Sequence, residues 1–167
     1  MTRAMTLDDT MRMACTLAPA GVALGLHVGF AAPRFLLQTY PRAWTQIYSG
    51  ESLAVTDPTI HWGFAHTGAC RWSALPAPVG GVLSRAADHG LRFGVVCAVA
   101  QGGGRSLGSF ARSDRELTAP ETAQALQILT DLHTLALNVD TLSPAEAARL
   151  RQWSGDSTIA PQTFTAH

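Results

Sequence analysis

Phe93-Gly94-Val95-Val96-Cys97-Ala98-Val99-Ala100 and Ser106-Leu107-Gly108-Ser109-Phe110-Ala111-Arg112 flank the glycine-rich Gln101-Gly102-Gly103-Gly104-Arg105. Two short apolar runs joined by glycines have the layout of a β-hairpin with a flexible tip, which puts an antiparallel pair at the heart of the fold. Upstream, residues 22–30 and 34–39 are again short and apolar, bounded by Gly or Pro and separated by Ala31-Ala32-Pro33, so they read as two more strands. Residues 69–73 add a short extended segment. Around these strands lie helical signals. Residues 7–17 carry Leu7, Met11, Ala14 and Cys15 at helical spacing, and 120–140 carry a broad stripe of Ala123, Leu126, Ile128, Leu129, Leu132, Leu135, Ala136 and Val139. Pro41 and Pro58 suit first helical positions of two short helices. Residues 79–90 look like a third, with Gly90 as its stop. The sum is an α+β fold with a central antiparallel sheet and helices on both faces.

The chain has 167 residues, 47% hydrophobic and 14% charged, enough for one well-buried domain. So low a charge fraction points to an internal pocket, a subunit interface or both. Lysine is absent, the twelve basic residues are all arginine, and the formal net charge is zero, which is no footprint for nucleic acid. No run of apolar residues is long enough to span a membrane, and Asp8-Asp9 interrupt the place where a signal peptide has its apolar segment. A cytoplasmic location is the expectation. Cys15, Cys70 and Cys97 are widely spaced and odd in number, which suits buried free thiols rather than disulfides or zinc. His61 and His66 have no third metal-ligand candidate nearby, and Gly102-Gly103-Gly104 lacks the lysine and hydroxyl of a phosphate loop.

Between the strands stands Tyr40-Pro41-Arg42-Ala43-Trp44-Thr45-Gln46-Ile47-Tyr48, followed by Asp57-Pro58 and Arg71-Trp72. Helical from Pro41, the run places Tyr40, Trp44 and Tyr48 on one face. Core packing accounts for such a stripe, and so does the wall of a pocket for an amphiphilic small molecule. Asp57 before Pro58 is a good helix N-cap, a role compatible with a second one, since one carboxylate oxygen can cap while the other meets a ligand.

These residues resemble the autoinducer-binding domain of LuxR-type quorum-sensing regulators, which bind N-acyl homoserine lactones. The likeness rests on Tyr40, Trp44, Tyr48, Asp57 and Trp72 in register, and continues through Ala86-Ala87-Asp88-His89-Gly90-Leu91-Arg92-Phe93-Gly94. It implies an α-β-α sandwich with the acyl chain between the sheet and a helical layer. By matched position, Trp44 would donate its indole N–H to the lactone carbonyl, Asp57 would accept the ligand amide N–H, and Tyr40 would reach the amide carbonyl. Tyr48 and Trp72 would wall the pocket. Trp is a donor only and an ionised Asp an acceptor only, so an amide-bearing ligand is held in one orientation. The chain departs from the family at Val96 and Ala98, where Thr and Pro are common, and near Ala111, where a ligand-facing hydroxyl is common and Ser109 is the closest substitute.

The resemblance implies an autoinducer-binding domain over residues 1–140. Residues 141–167 then form a linker and a remnant of the first helix of a helix-turn-helix domain, with Ser143 as N-cap, Glu146 as its partner, and a loose tail from Ser154. Such a chain does not bind DNA by itself. The partners implied are an acyl homoserine lactone and a second subunit, in a homodimer or in a heterodimer with a full-length regulator that it would disable. No cofactor is implied. A lactonase or acylase would need a metal cluster or a G-x-S-x-G elbow, and neither is present, so the chain reads as a non-enzyme. The competing expectation is a ligand-independent interaction domain of the same fold, its pocket filled by its own side chains.

Overall fold

A computed structural model describes residues 6–29 and 32–155. Helix α1 (Leu7–Leu17) starts at a capping box, in which Thr6 Oγ1 accepts the Asp9 N–H and the Asp9 carboxylate accepts the Thr6 N–H. Strands β1 (Gly21–Val28), β2 (Pro33–Gln38), β3 (Gly68–Arg71), β4 (Phe93–Gln101) and β5 (Gly104–Arg112) form one antiparallel sheet in the order β2-β1-β5-β4-β3. Between β2 and β3 run α2 (Arg42–Gly50) and α3 (Pro58–Ala65), and between β3 and β4 runs α4 (Val82–Ala87). The long α5 (Ala119–Leu137) follows β5, started by a second capping box between Thr118 and Glu121 with Pro120 in its first turn.

Both faces of the sheet are buried. Val22, Leu24, Leu26, Val95, Cys97 and Phe110 pack with α1 and α5, whereas Val96 and Ala111 pack with Trp44, Tyr48 and Trp72 on the opposite side. Successive strand residues alternate between these faces. The expected α-β-α sandwich is therefore observed.

Local departures from the sequence reading have local causes. The hairpin tip shrinks to Gly102-Gly103, both with positive φ (+62° and +79°), because two such residues make the turn whose twist matches the flanking strands. Helix α4 begins only at Val82, since Gly80 lies at φ +79° and ends any helix before it. Its far end closes as a Schellman motif, with the Leu91 N–H on the Ala86 carbonyl, the Gly90 N–H on the Ala87 carbonyl and Gly90 at φ +85°. Pro41 sits one place before α2, its carbonyl taking the N–H groups of Trp44 and Thr45. The strand read to Phe30 ends at Val28, and Phe30 and Ala31 lie outside the described residues. Cys97 is buried, but Cys15 and Cys70 are only half-buried.

Residues Pro144–Gly155 form α6, with Ser143 Oγ accepting the Glu146 N–H. This helix is docked rather than free. Leu150 is fully buried, the Arg149 guanidinium and Trp153 indole both donate to the Asp8 carboxylate on α1, and Ser154 Oγ accepts the Leu36 N–H from the edge strand β2. Ser154, read as the start of a loose tail, thus belongs to α6, and residues 156–167 lie outside the described residues.

On the α5 side of the sheet, His133 is buried and stacked on His27 at 4.2 Å. Ser106 Oγ lies 2.6 Å from His133 Nδ1 and accepts the His27 N–H, while His133 Nε2 faces the Gln101 carbonyl at 3.0 Å. A neutral ring satisfies all of these contacts, with Nε2 donating and Nδ1 accepting. Burial and the neighbouring His27 push the His133 pKa below its ordinary 6.5. The unfolded chain then takes up a proton that the folded one refuses, so this contribution to stability is intact above about pH 6.5 and drains away as pH falls below it. Urea unfolding between about pH 7.5 and 5 should show that slope, and His133→Gln should flatten it.

Candidate functional site

The site lies on the face of the sheet opposite α5. Trp44 and Tyr48, one turn apart on α2, are buried and meet edge to face with centroids 5.9 Å apart. Tyr40 precedes the helix but lines the same cavity. Asp57 caps α3: its Oδ1 accepts the Thr59 N–H at 2.8 Å and the Thr59 hydroxyl at 2.7 Å. The other oxygen, Oδ2, accepts the Tyr48 hydroxyl at 2.6 Å. Across the cavity, Trp72 donates its indole N–H to Ser109 Oγ at 3.1 Å. Trp44 differs from Trp72 in one respect. Its indole N–H has no hydrogen-bond partner among the described residues.

Burial pushes the Asp57 carboxyl above the usual range, against the Tyr48 and Thr59 hydrogen bonds that pull it down. The Tyr40 and Tyr48 phenols are pushed up by burial and by the Asp57 charge, so both stay protonated and able to donate. The Ser109 hydroxyl acts in the opposite sense on the Tyr40 phenol, pulling it down. The cavity between these groups is narrow, about 50 Å³. Its apolar wall comes from Ile60 on α3, Val82, Leu83 and Ala86 on α4, then Leu91, and Val96 and Leu107 on the sheet. A bidentate Arg85–Glu51 pair ties α4 to the end of α2 at the surface.

Six of the seven residues singled out in the sequence, Tyr40, Trp44, Tyr48, Asp57, Trp72 and Ser109, therefore line one cavity. Ala111 is buried in the same apolar cluster but does not line it. Thr59 escaped the sequence reading, although a hydroxyl two residues after an N-cap aspartate is its signal. His61 and His66 face backbone carbonyls, those of Val55 and Trp62, and His66 also stacks on Trp62.

The model of the autoinducer binding domain family matches residues 20–137, a span that holds every residue lining the cavity. The chain belongs to that family. As an autoinducer-binding domain it shares the fold of LuxR-type regulators among solved structures. The N-acylhomoserine lactone-dependent LuxR family factor CepR2 from Burkholderia cenocepacia superposes with a TM-score of 0.59 at 21% identity, covering 79% of this chain and 81% of that one. Escherichia coli SdiA gives 0.60 at 22%, covering 85% and 66%. SdiA in complex with octanoyl-rac-glycerol gives 0.54 at 16%, covering 98% and 85%. No curated protein sequence matches. Among the described residues no helix is long and apolar enough to cross a membrane.

One wall of this cavity is set by a close approach. A Cβ built on Gly94 of β4 would stand 2.4 Å from the Trp72 ring, so the indole lies flat against bare backbone. Gly94→Ala should displace Trp72, break its bond to Ser109 and destabilise the domain by about 1–3 kcal/mol in urea titration.

Proposed function

We propose that this domain is a receptor for an N-acyl homoserine lactone. The observation that carries the reading is a pair of groups lining one cavity: the Trp44 indole N–H, a donor with no partner among the described residues, and Asp57, an acceptor with spare capacity. Trp44 gives its N–H to the lactone carbonyl. Asp57 Oδ2, which among the described residues accepts from Tyr48 alone, takes the amide N–H in a second lone-pair direction. Tyr40 reaches the amide carbonyl, Tyr48 and Trp72 wall the head group, and the Trp72 N–H is already given to Ser109. The ligand is held and not turned over.

Mass spectrometry of organic extracts, from protein expressed with and without mixed lactones, tests this directly. A retained lactone, with a rise in Tm when it is added back, is the expected result. Neither effect with any lactone would remove the reading. A second reading has one observation behind it: about 50 Å³ is far below the roughly 300–1,000 Å³ of ordinary ligand sites. On that reading the pocket is filled by its own side chains, and the domain acts only through its partners. Ligand retention decides between them.

The reading extends to assembly. The domain works in the cytoplasm as a homodimer or paired with a full-length regulator of the same family. Light scattering of the domain alone, and co-purification with a tagged full-length regulator, should each report a second subunit; a monomer that captures no regulator would remove this extension.

A further inference from the structure

Strand β5 places Leu107, Ser109 and Ala111 on the pocket face. In register with Ser109 stand Ala23 of β1 and Val96 of β4, and all three line the cavity. The next row toward the hairpin tip is Gly25, Leu107 and Ala98. Of these, only Leu107 lines it. Along the sheet, then, the cavity runs from the Ser109 row to the Leu107 side chain and stops there.

Leu107 is held in place from above. A Cβ on Gly63 of α3 would lie 3.0–3.2 Å from Leu107 Cβ, Cδ1 and Cδ2, so the isobutyl group fills the whole gap between sheet and helix. Arg105, two residues toward the tip, donates to the carbonyls of Gly63 and His66 and fastens the end of α3 to β5 at that spot. The side chain has no room to swing toward the helix. Beneath it the floor is nearly bare, because its neighbours in register are Gly25 and Ala98, and Ala98 pairs in turn with Gly68.

We propose that Leu107 is the stop that sets the depth of the pocket and restricts its occupant to a short acyl chain. The assignment rests on the lactone-receptor reading and adds the class of lactone. A chain whose end meets Leu107 packs against it. Each further methylene must displace a side chain clamped by Gly63 and Arg105. Trimming Leu107 to alanine opens the row of Gly25 and Ala98 to the ligand's tail.

Calorimetric titration of the domain with butanoyl-, hexanoyl-, decanoyl- and dodecanoyl-homoserine lactone tests it. The wild type should favour the two short chains by about tenfold or more, and Leu107→Ala should reverse the order. Leu107→Met conserves volume but bends, so it is the companion variant should the alanine form fold poorly, and it should erase most of the discrimination. A wild type that binds all four alike, or the same preference order in both variants, overturns the role of Leu107 while leaving the receptor reading in place. No binding of any lactone by the wild type removes both.

Discussion

Replacing Asp57 by alanine is expected to destabilise the domain by about 3 kcal/mol and to abolish lactone-induced stabilisation. Three buried donors depend on this carboxylate: the Tyr48 hydroxyl, the Thr59 hydroxyl and the Thr59 N–H. Alanine strands all of them, and with the last the N-terminal cap of α3, which Asp57 Oδ1 makes by accepting the Thr59 N–H, is lost. Asp57→Asn separates structure from binding. Burial raises the carboxyl's pKa, so the folded protein without ligand resists the charge. For a carboxyl shifted upward, stability is greater when the group is protonated and declines as pH rises from its ordinary value through the raised one. Neutral asparagine avoids that desolvation, and its Oδ1 can still cap Thr59. The asparagine variant should therefore melt within a few degrees of the wild type. It should nevertheless fail to bind, because an amide N–H now points where the ligand's own N–H seeks an acceptor. For the wild type, affinity should fall as pH drops through the raised Asp57 value. Equal lactone affinity in wild type and Asp57→Asn would exclude the proposed role of Oδ2.

How much of this was legible in the sequence follows from the range of the forces involved. Elements fixed by local rules were readable: α1 and α5 through their apolar spacing, and the hairpin through Gly102 and Gly103, while the capping boxes at Thr6 and Thr118, equally local, went unread. The cavity's polar members were readable because tyrosine, tryptophan and aspartate keep a recognisable spacing. What stayed hidden depends on partners distant in sequence. Nothing near Leu107 announces that Gly63 will press on it, nor does anything near Ser106 point to His133. Residues 144–155 read as the start of another domain, since their fit to this one rests on Asp8 and Leu36 at the far end of the chain. The sequence reading makes α4 too long because the Gly80-Gly81 pair is ambiguous in sequence, whereas φ +79° at Gly80 is not.

Trp44 carries the second large effect, and two substitutions divide it. Trp44→Ala removes a buried indole that packs on Tyr48 and His89, and should destabilise the domain by about 3–5 kcal/mol. That loss says nothing about ligand, because any well-packed tryptophan would give it. Trp44→Phe is the informative change. It keeps most of the aromatic bulk and deletes an N–H that has no partner among the described residues. A hydrogen bond absent from the free protein cannot contribute to its stability, so the melting temperature without ligand should fall only by the small packing loss. The same bond is present in the proposed complex, and its removal leaves the lactone carbonyl buried and unpaired at about 1–3 kcal/mol, roughly a five- to hundredfold rise in Kd. Trp72→Phe supplies the contrast. Its N–H is already given to Ser109, so the free protein should feel that loss. Opposite signatures are thus expected from one substitution at two tryptophans, affinity at Trp44 and stability at Trp72. If titration and urea unfolding showed both variants losing stability alike and affinity equally, the unpaired indole would be packing and not recognition.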